Sequence, residues 1–527
     1  MIENELGMKL RMILEQKKDL RRKGRLVGQG FWEDTDLTGL HVDSPVASFA
    51  AVRMLLFMCG CDGDVIASGD ISKAFLKADE YPTDSLPRYV RFQLYKGGPV
   101  KVWRLKGPLY GSRDSPKLFY LSFVKFMSTV QSLIDQGFWL DSDFHGGKDI
   151  SHVLDSVHSK YMQGEDEPCV FVNESTGMRV VVFVDDIISR GSLDNTREFY
   201  SAVQSKYPMR SWNVLSPDSP LKHLGFTMSE EVVDGCLHRY MSQADDVRQF
   251  LADHSLSIHS DISCPMPDKK YIGKDNTPLN VEQQAKCKSL VGSLSWYAIS
   301  LRYDIAHTVS RLQSVGNNPT VSTLHSAIRC AAYVGSTSEF RIGGAVTTGP
   351  DVIECHSDSD HAGDRVLGSQ SHSGVLIRLN GVPIHWRSKK QPKTSVSPAA
   401  AEIYAASEAL RELRWIYMIA VDLHLDLSQP MVLQVDNNQV ISFKYGTSTK
   451  SRLRGMISNR WNWVKELKDD GEVSVVKVGT KENMADILTK CLSNKEFNRQ
   501  VNQIQSRKII IDGRRVDLKF GEVRGQS

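Results

Sequence analysis

Ten residues constrain this chain more than any others: Val180-Val-Val-Phe-Val-Asp185-Asp186-Ile-Ile-Ser189, in which apolar, largely β-branched runs flank two adjacent aspartates. The spacing predicts a tight β-hairpin with Asp185-Asp186 at its tip. Hairpin tips ordinarily take Asn-Gly or Asp-Gly, and two like charges there repel. An isolated Asp-Asp pair is most often a solvated turn. Here the apolar flanks bury the hairpin and pin the carboxylates. A divalent cation relieves the conflict, since Mg²⁺ takes oxygen ligands and is usually held by one or two carboxylates beside substrate phosphates. Such a site needs a third carboxylate.

Asp64 to Leu76 (DVIASGDISKAFL) supplies one. It reads as a strand ending near Asp70, followed directly by a short helical segment. Acids at strand ends facing loops are usual functional positions. A helix N-cap at Asp70 is the plain alternative, and it is compatible with metal binding. Upstream, residues 1–31 read as a basic helical segment carrying Lys17, Lys18, Arg21, Arg22, Lys23 and Arg25. Most of these suit a solvated face, while Lys23 and Arg25 precede a short apolar strand and are candidates to meet a triphosphate. Trp103–Tyr120 bends through glycines and opens a helix at Ser115-Pro116, running to about Val130. Its Arg104, Lys106, Arg113 and Lys117 interleave with Trp103, Tyr110, Phe119 and Tyr120. That mixture suits a nucleic-acid strand as well as helix packing.

A second pattern begins at Gly343. Val352–Asp358 is a strand ending in an acid, with Asp360 a secondary candidate. Two apolar runs then flank Asn380-Gly381, a strong hairpin signal. A helix follows from about Ala399 to Leu423, with Glu402 in its first turn, where the dipole favours a carboxylate. Met431–Asp436 is another strand ending in an acid, Glu472–Val478 is a further strand, and Asp486 sits on the short helix after it. Strand, hairpin, helix, strand, helix, strand, with acids at strand ends and helix starts, is an α/β layer built around a metal site. Lys389, Lys390 and Lys393 fall in the loop before the Glu402 helix, where they either contact phosphates or are simply solvated.

Length and composition fit this division. A chain of 527 residues allows roughly two to four domains. The net charge of +3 is too small to demand nucleic acid, so any such surface comes from local clustering. No signal peptide or membrane span is apparent. Nine cysteines show no Cys-x-x-Cys pair, and Cys59 and Cys61 are too close for ordinary zinc spacing. Reduced thiols in an intracellular compartment are expected.

SGDISKAFLKAD, LKGPLYGSRDSPKLFY and VVVFVDDIISR, in this order, resemble the palm motifs of a copia-like (Pseudoviridae-type) retrotransposon reverse transcriptase. RKGRLVGQGF and SPVASFAAVRMLLFMCG resemble its fingers segment and the helix after it. HLGFTM, YMSQADDVRQFL and SLVGSLSWYAISLRYDIAHTVSRL resemble its primer-proximal strands, thumb start and linker. SDSDHAGD, GVPIHWRSKKQ, AAAEIYAASEALRELRW, QVDNNQVI and ENMADILTKCL resemble the ribonuclease H of the same family.

The resemblance implies a mixed α+β and α/β fold. A right-hand polymerase of fingers, palm and thumb precedes a helical connection and a ribonuclease H-like domain. The divisions expected are 1–255 (fingers, palm, thumb start), 256–345 (thumb and connection), 346–495 (ribonuclease H-like) and 496–527 (a basic tail without assignment). Carried over by position, the polymerase carboxylates fall on Asp70, Asp185 and Asp186, and Phe75 takes the place of the aromatic that blocks a ribose 2′-hydroxyl. The nuclease acids fall on Asp358, Glu402, Asp436 and Asp486.

The implied cofactor is Mg²⁺, with Mn²⁺ as the substitute. The implied partners are RNA template, DNA primer, RNA–DNA hybrid and dNTPs, with integrase or capsid proteins of the same element and no membrane. The implied location is a cytoplasmic virus-like particle or the nucleus. The chain departs from the family at Phe183, where Tyr is commoner, and at Asp114, where Gln is expected. It also departs at Ala400, which replaces an acid, and in RLRGMISNRWNWVKEL, which lacks histidines. It starts late in the fingers and carries no integrase, protease or nucleocapsid knuckle. It therefore reads as the C-terminal part of a polyprotein, a gene fragment or a separate derived protein. The competing class is a non-catalytic nucleic-acid-binding remnant.

Overall fold

The computed structural model describes residues 7–16, 22–32, 42–60, 63–83, 85–93, 95, 97–129, 161–256, 262–266, 272, 275–363, 370–395, 397–427, 430–442, 454–511, 514–516 and 518–520. The chain divides into two compact units, Met1–Ala47 with Val65–Asn213, and Ser48–Asp64 with Val214–Ser527. Helix α1 (Phe49–Phe57) therefore belongs to the second unit although it interrupts the first in sequence.

The first unit holds two sheets. Strands β1 (Met8–Gln16) and β2 (Arg22–Gly28) form an antiparallel hairpin, with Leu10 opposite Gly28 and Gln16 opposite Arg22. This corrects the helix expected over the basic segment. Met8, Leu10, Met12 and Leu14 recur at every second residue, a strand period that the density of charge obscures. Lys17, Lys18 and Arg21 lie outside the described residues. With β3 (Asp64–Ile71), β4 (Tyr89–Gln93) and β5 (Val100–Arg104) in place, the first sheet runs β2-β1-β4-β5. The second runs β10-β3-β9-β8-β7-β6. Its remaining strands are β6 (Tyr161–Gln163), β7 (Val170–Asn173), β8 (Arg179–Phe183), β9 (Asp186–Ser192) and β10 (Met209–Val214).

Helix α2 (Ser115–Met127) begins at Ser115-Pro116 as the sequence indicates; Val130 lies outside the described residues. It buries Phe119, Phe123 and Phe126, whose rings pack on Tyr207 at 5.9, 5.8 and 5.5 Å. Helix α3 (Leu193–Lys206) carries Tyr200, stacked on Trp212 at 4.9 Å.

The second unit opens with the antiparallel sheet β11 (Leu221–His223), β12 (Phe226–Val233), β13 (Cys236–Ser242) and β14 (Arg341–Ala345). Between β13 and β14 run helices α4 (Ala244–Asp253), α5 (Val281–Ser300), α6 (Ala306–Ser314) and α7 (Val321–Ser336). After β15 (Thr347–Thr348) come β16 (Ile353–Asp360), β17 (His372–Leu379) and β18 (Val382–Lys390). Helix α8 (Pro398–Asp422), β19 (Met431–Val435), helices α9 (Asn438–Ser442) and α10 (Arg454–Asp469), and β20 (Val473–Lys477) follow.

The five strands order as β18-β17-β16-β19-β20, antiparallel from β18 to β16 and parallel from β16 to β20. Asn380 (φ 52°) and Gly381 (φ 77°) make the hairpin turn between β17 and β18, the pair of left-handed residues that an Asn-Gly turn requires. Lys389 and Lys390 end β18 rather than lying in the following loop, because the hairpin ladder reaches His372 opposite Lys390. Residues past 493 form helix α11 (Asn494–Gln505), a short hairpin of β21 (Ile509–Ile511) and β22 (Arg514–Val516), and β23 (Lys519–Phe520), which pairs with β15. Among the described residues no helix is long and apolar enough to cross a membrane.

Arg53 of α1 ties three elements of this unit together. It is 2% exposed and donates to the carbonyls of Ile384 (2.7 Å), Ile299 (3.1 Å) and Ser300. Its guanidinium lies 4.3 Å from the Trp386 ring centroid. Burial pulls its pKa down to about 9. Arg53→Ala leaves these buried carbonyls without their donor and opens a cavity, so it is expected to cost about 3 kcal/mol, read as a lower urea midpoint. A change under about 1 kcal/mol would mean that water replaces the guanidinium.

Candidate active sites

In the first unit, β8 and β9 pair Val180 with Ser189 through Phe183 with Asp186, so the two turn residues are Val184 and Asp185. The tip expected at Asp185-Asp186 is therefore shifted by one residue, and Asp186 begins β9. This register leaves Val180, Val181, Ile187 and Ile188 fully buried, so both faces of the hairpin are covered. It places Val184 at φ 59°, as a tight hairpin turn demands, in a region that β-branched residues enter at a cost of order 1–3 kcal/mol.

Asp70 lies in β3 beside β9, and the next residue, Ile71, donates its N–H to the Asp185 carbonyl at 2.8 Å. The three carboxylates repel one another. Burial, then the charges of Asp185 and Asp70, push Asp186 up to about 7. Burial also raises Asp185, with Asp70 adding to the shift and Arg25 and Lys23 opposing it. The charges of Lys23 and Arg25 thus reach Asp185 from strand β2, where the sequence reading placed a helix.

Phe75 stands on the 3-10 turn Ala74–Lys77, half-buried, with its ring edge-on to Tyr110 (5.4 Å) and Phe119 (6.4 Å). Tyr110 belongs to the same corner and was not singled out from sequence as a site residue. Burial and the charges of Asp185 and Asp70 raise its hydroxyl pKa. Its signal was its place in LYG: Gly111, at φ 86°, packs so close to Gly28 that a Cβ would lie 2.1 Å from the Gly28 oxygen. Asp114, the departure from the family pattern, is buried against Arg88 at 2.6 Å.

In the second unit the parallel register sets Ser357 opposite Val435, so Asp358 and Asp436 follow on neighbouring strands at the same end of the sheet. Asp358 is not the last residue of its strand, since β16 continues to Asp360. Glu402 comes from α8. This helix starts at Pro398 behind a Ser397 cap, so Glu402 falls in the second turn, not the first, beyond the reach of the dipole argument. Ala400, where the family carries an acid, is buried.

Asp358, Glu402 and Asp436 bring ligand oxygens within 4.8 Å of one another, the one such group among the described residues. Burial, followed by Asp358 and Asp436, pushes Glu402 up to about 9. Burial and Asp358 raise Asp436, and burial, then Asp358, bring Asp486 to about 7. Carboxylates crowded in this way offer an all-oxygen donor set of high negative charge, which is what a hard divalent cation takes. The residues fit such an ion.

Asp486, on the 3-10 turn Met484–Leu488, joins the centre through Lys490, which lies 2.8 Å from it and 3.1 Å from Asp358. Thr489 also donates to Asp358. Asn483 pins the turn by donating to the Ser357 carbonyl at 2.9 Å. None of Asn483, Thr489 or Lys490 was picked out from sequence; the four-residue step from Asp486 to Lys490 was the available clue.

Residues 6–140 match the family model described as reverse transcriptase (RNA-dependent DNA polymerase). The chain is 24% identical over 93% of its length to the Retrovirus-related Pol polyprotein from transposon TNT 1-94 of Nicotiana tabacum, covering 35% of that protein. It is 25% identical over 92% of its length to the polyprotein from transposon RE1 of Arabidopsis thaliana, covering 30% of it. It is 22% identical over 93% of its length to the Transposon Ty1-NL2 Gag-Pol polyprotein of Saccharomyces cerevisiae, covering 26%. The chain therefore spans about a third or less of these relatives. Among solved structures, a foamy viral protease-reverse transcriptase in complex with double-stranded DNA aligns with a TM-score of 0.46 at 14% identity, covering 90% of this chain and 66% of that one. Residues 6–140 are thus similar to the reverse transcriptase family, and the chain is similar over most of its length to part of the Pol polyproteins of these transposons.

Proposed function

We propose that the chain is an RNA-directed DNA polymerase with ribonuclease H activity, with one acidic centre in each unit. The observation that carries the polymerase reading is the convergence of Asp70, Asp185 and Asp186 at one end of neighbouring strands of the sheet, with the charges of Lys23 and Arg25 acting on Asp185. In this reading 1–255 form fingers, palm and thumb start, 256–345 the thumb and connection, 346–495 the ribonuclease H-like domain and 496–527 the basic tail. Substrates are an RNA template, a DNA primer, dNTPs and the RNA–DNA hybrid, with integrase or capsid proteins as further partners in a cytoplasmic particle or the nucleus.

Asp70, Asp185 and Asp186 would hold Mg²⁺, or Mn²⁺ in its place, in the polymerase; Asp358, Glu402, Asp436 and Asp486 would do so in the nuclease. When bound, the ion lowers the pKa of an attacking hydroxyl or water and neutralises charge on the leaving oxygen. The protein's own part is positioning and fixed charge. Lys23 and Arg25 attract the incoming triphosphate, and Phe75, braced by Tyr110 and Phe119, occupies the space where a 2′-hydroxyl would sit. In the second unit, the exposed Lys393 and the strand-end Lys389 face the backbone of a hybrid, whose ribose 2′-hydroxyls mark the strand to be cut.

Primer extension by the purified protein on an RNA template with Mg²⁺ tests the reading. Hybrid binding without extension would leave a nucleic-acid-binding remnant. Phe75→Val is expected to lower the ratio of dNTP to rNTP incorporation efficiency by roughly 10–100-fold, by opening space for the 2′-hydroxyl. An unchanged ratio would reduce Phe75 to core packing.

A further inference from the structure

Lys490 stands inside the second acidic centre. Its Nζ bridges Asp358 Oδ2 (3.1 Å) and Asp486 Oδ1 (2.8 Å), two carboxylates on different elements. The same Asp358 oxygen accepts from Thr489, so consecutive side chains grip one carboxylate. The lysine side chain is 28% exposed, while those of Asp358 and Asp486 are 2% and 10% exposed. Asp358, Glu402 and Asp436 close to within 4.8 Å, and Asp486 stands outside that group, in the lysine's grasp.

An ordinary i,i+4 ion pair that steadies the turn is the plainer reading. The turn, however, is already fixed by Asn483, which donates to Ser357, and by Gln500, which donates to the Asn483 carbonyl at 3.0 Å. A tethered ammonium on two of four carboxylates competes with any free cation for the same oxygens.

We propose that Lys490 is the resident counter-ion of this centre, released from Asp358 and Asp486 as a divalent cation enters, so that it sets the concentration at which the centre loads. The inference rests on the reading of the centre as a divalent-metal site. It assigns Lys490 a positioning role with a defined sign: removing the ammonium strengthens metal binding, whereas removing a mere scaffold weakens it.

Mn²⁺ titration of the full chain separates the two, taking as the nuclease component the binding that Asp436→Asn removes. Lys490→Met is expected to lower that component's midpoint at least about fivefold, while Lys490→Arg, which keeps the charge, stays near wild type. The wild-type protein gives an independent measurement that no folding defect can cloud. Amine acetylation read by mass spectrometry should find Lys490 shielded without metal and several-fold more reactive with Mn²⁺, with Lys393 unchanged.

If Asp436→Asn removes no binding component, the metal reading itself fails. If the component exists but Lys490→Met leaves it unchanged or weaker, or if Lys490 labelling does not respond to Mn²⁺, the metal reading stands and the counter-ion role falls.

Discussion

Changing Asp185 and Asp186 together to Asn is expected to abolish primer extension, by roughly 10²–10³-fold or more, while leaving hybrid cleavage largely intact. The two substitutions preserve volume and hairpin pairing but remove two of three charges at one corner of the first unit. Burial first, and then the charges of Asp185 and Asp70, push Asp186 up to about 7. Neutral amides relieve that repulsion, so the metal-free double variant should fold at least as stably as wild type, and lost activity cannot be put down to unfolding. The nuclease acids belong to the other unit, so their effects should be independent. Extension at the wild-type rate by the double variant would end the polymerase assignment. Loss of both activities at once would instead show that the two units do not work independently.

Both centres were legible in sequence for a shared reason. Apolar strands that end in acids, such as Met431–Asp436, place carboxylates at one end of a sheet, and the strand pattern survives without tertiary help. Other features depended on interactions that no local pattern encodes. The β1–β2 hairpin hid behind its charges, although the alternation of Met8, Leu10, Met12 and Leu14 was there to be counted. The turn at Val184-Asp185 is set by which residues bury on both faces of β8 and β9, and a one-residue slip is invisible to a flank-and-tip reading. Glu402 was placed in the first turn rather than the second because Ser397-Pro398 starts the helix one residue before the expected Ala399. Arg53 reads as one basic residue in an apolar helix, and its acceptors lie about 250 and 330 residues away in sequence, which no window can join. Lysines usually read as solvent-facing, so Lys490 drew no notice until it was seen between two aspartates.

Asp436→Asn is expected to eliminate Mg²⁺- or Mn²⁺-dependent cleavage of the RNA strand in a hybrid, and with it a metal-induced rise in melting temperature that grows with pH. The sign follows from the shifts. Glu402 (about 9) and Asp486 (about 7) have folded pKa values above those of unfolded carboxyls, so the metal-free native state binds more protons than the unfolded chain between about pH 4 and those values. The metal-free protein therefore loses stability as pH rises through this window. A divalent cation needs these groups deprotonated, so its stabilising effect is small near pH 5.5 and larger at pH 8. Asn at position 436 removes one of the three converging ligands and replaces a charge by a neutral amide oxygen. The Ala400 departure does not offset this. Position 400 lies two residues from Glu402, about 200° around the helix, so an acid there would not project into the same cluster. A wild-type chain whose melting temperature ignores Mg²⁺ and Mn²⁺ at both pH values, and which binds hybrid without cutting it, would leave the second unit as a binding module.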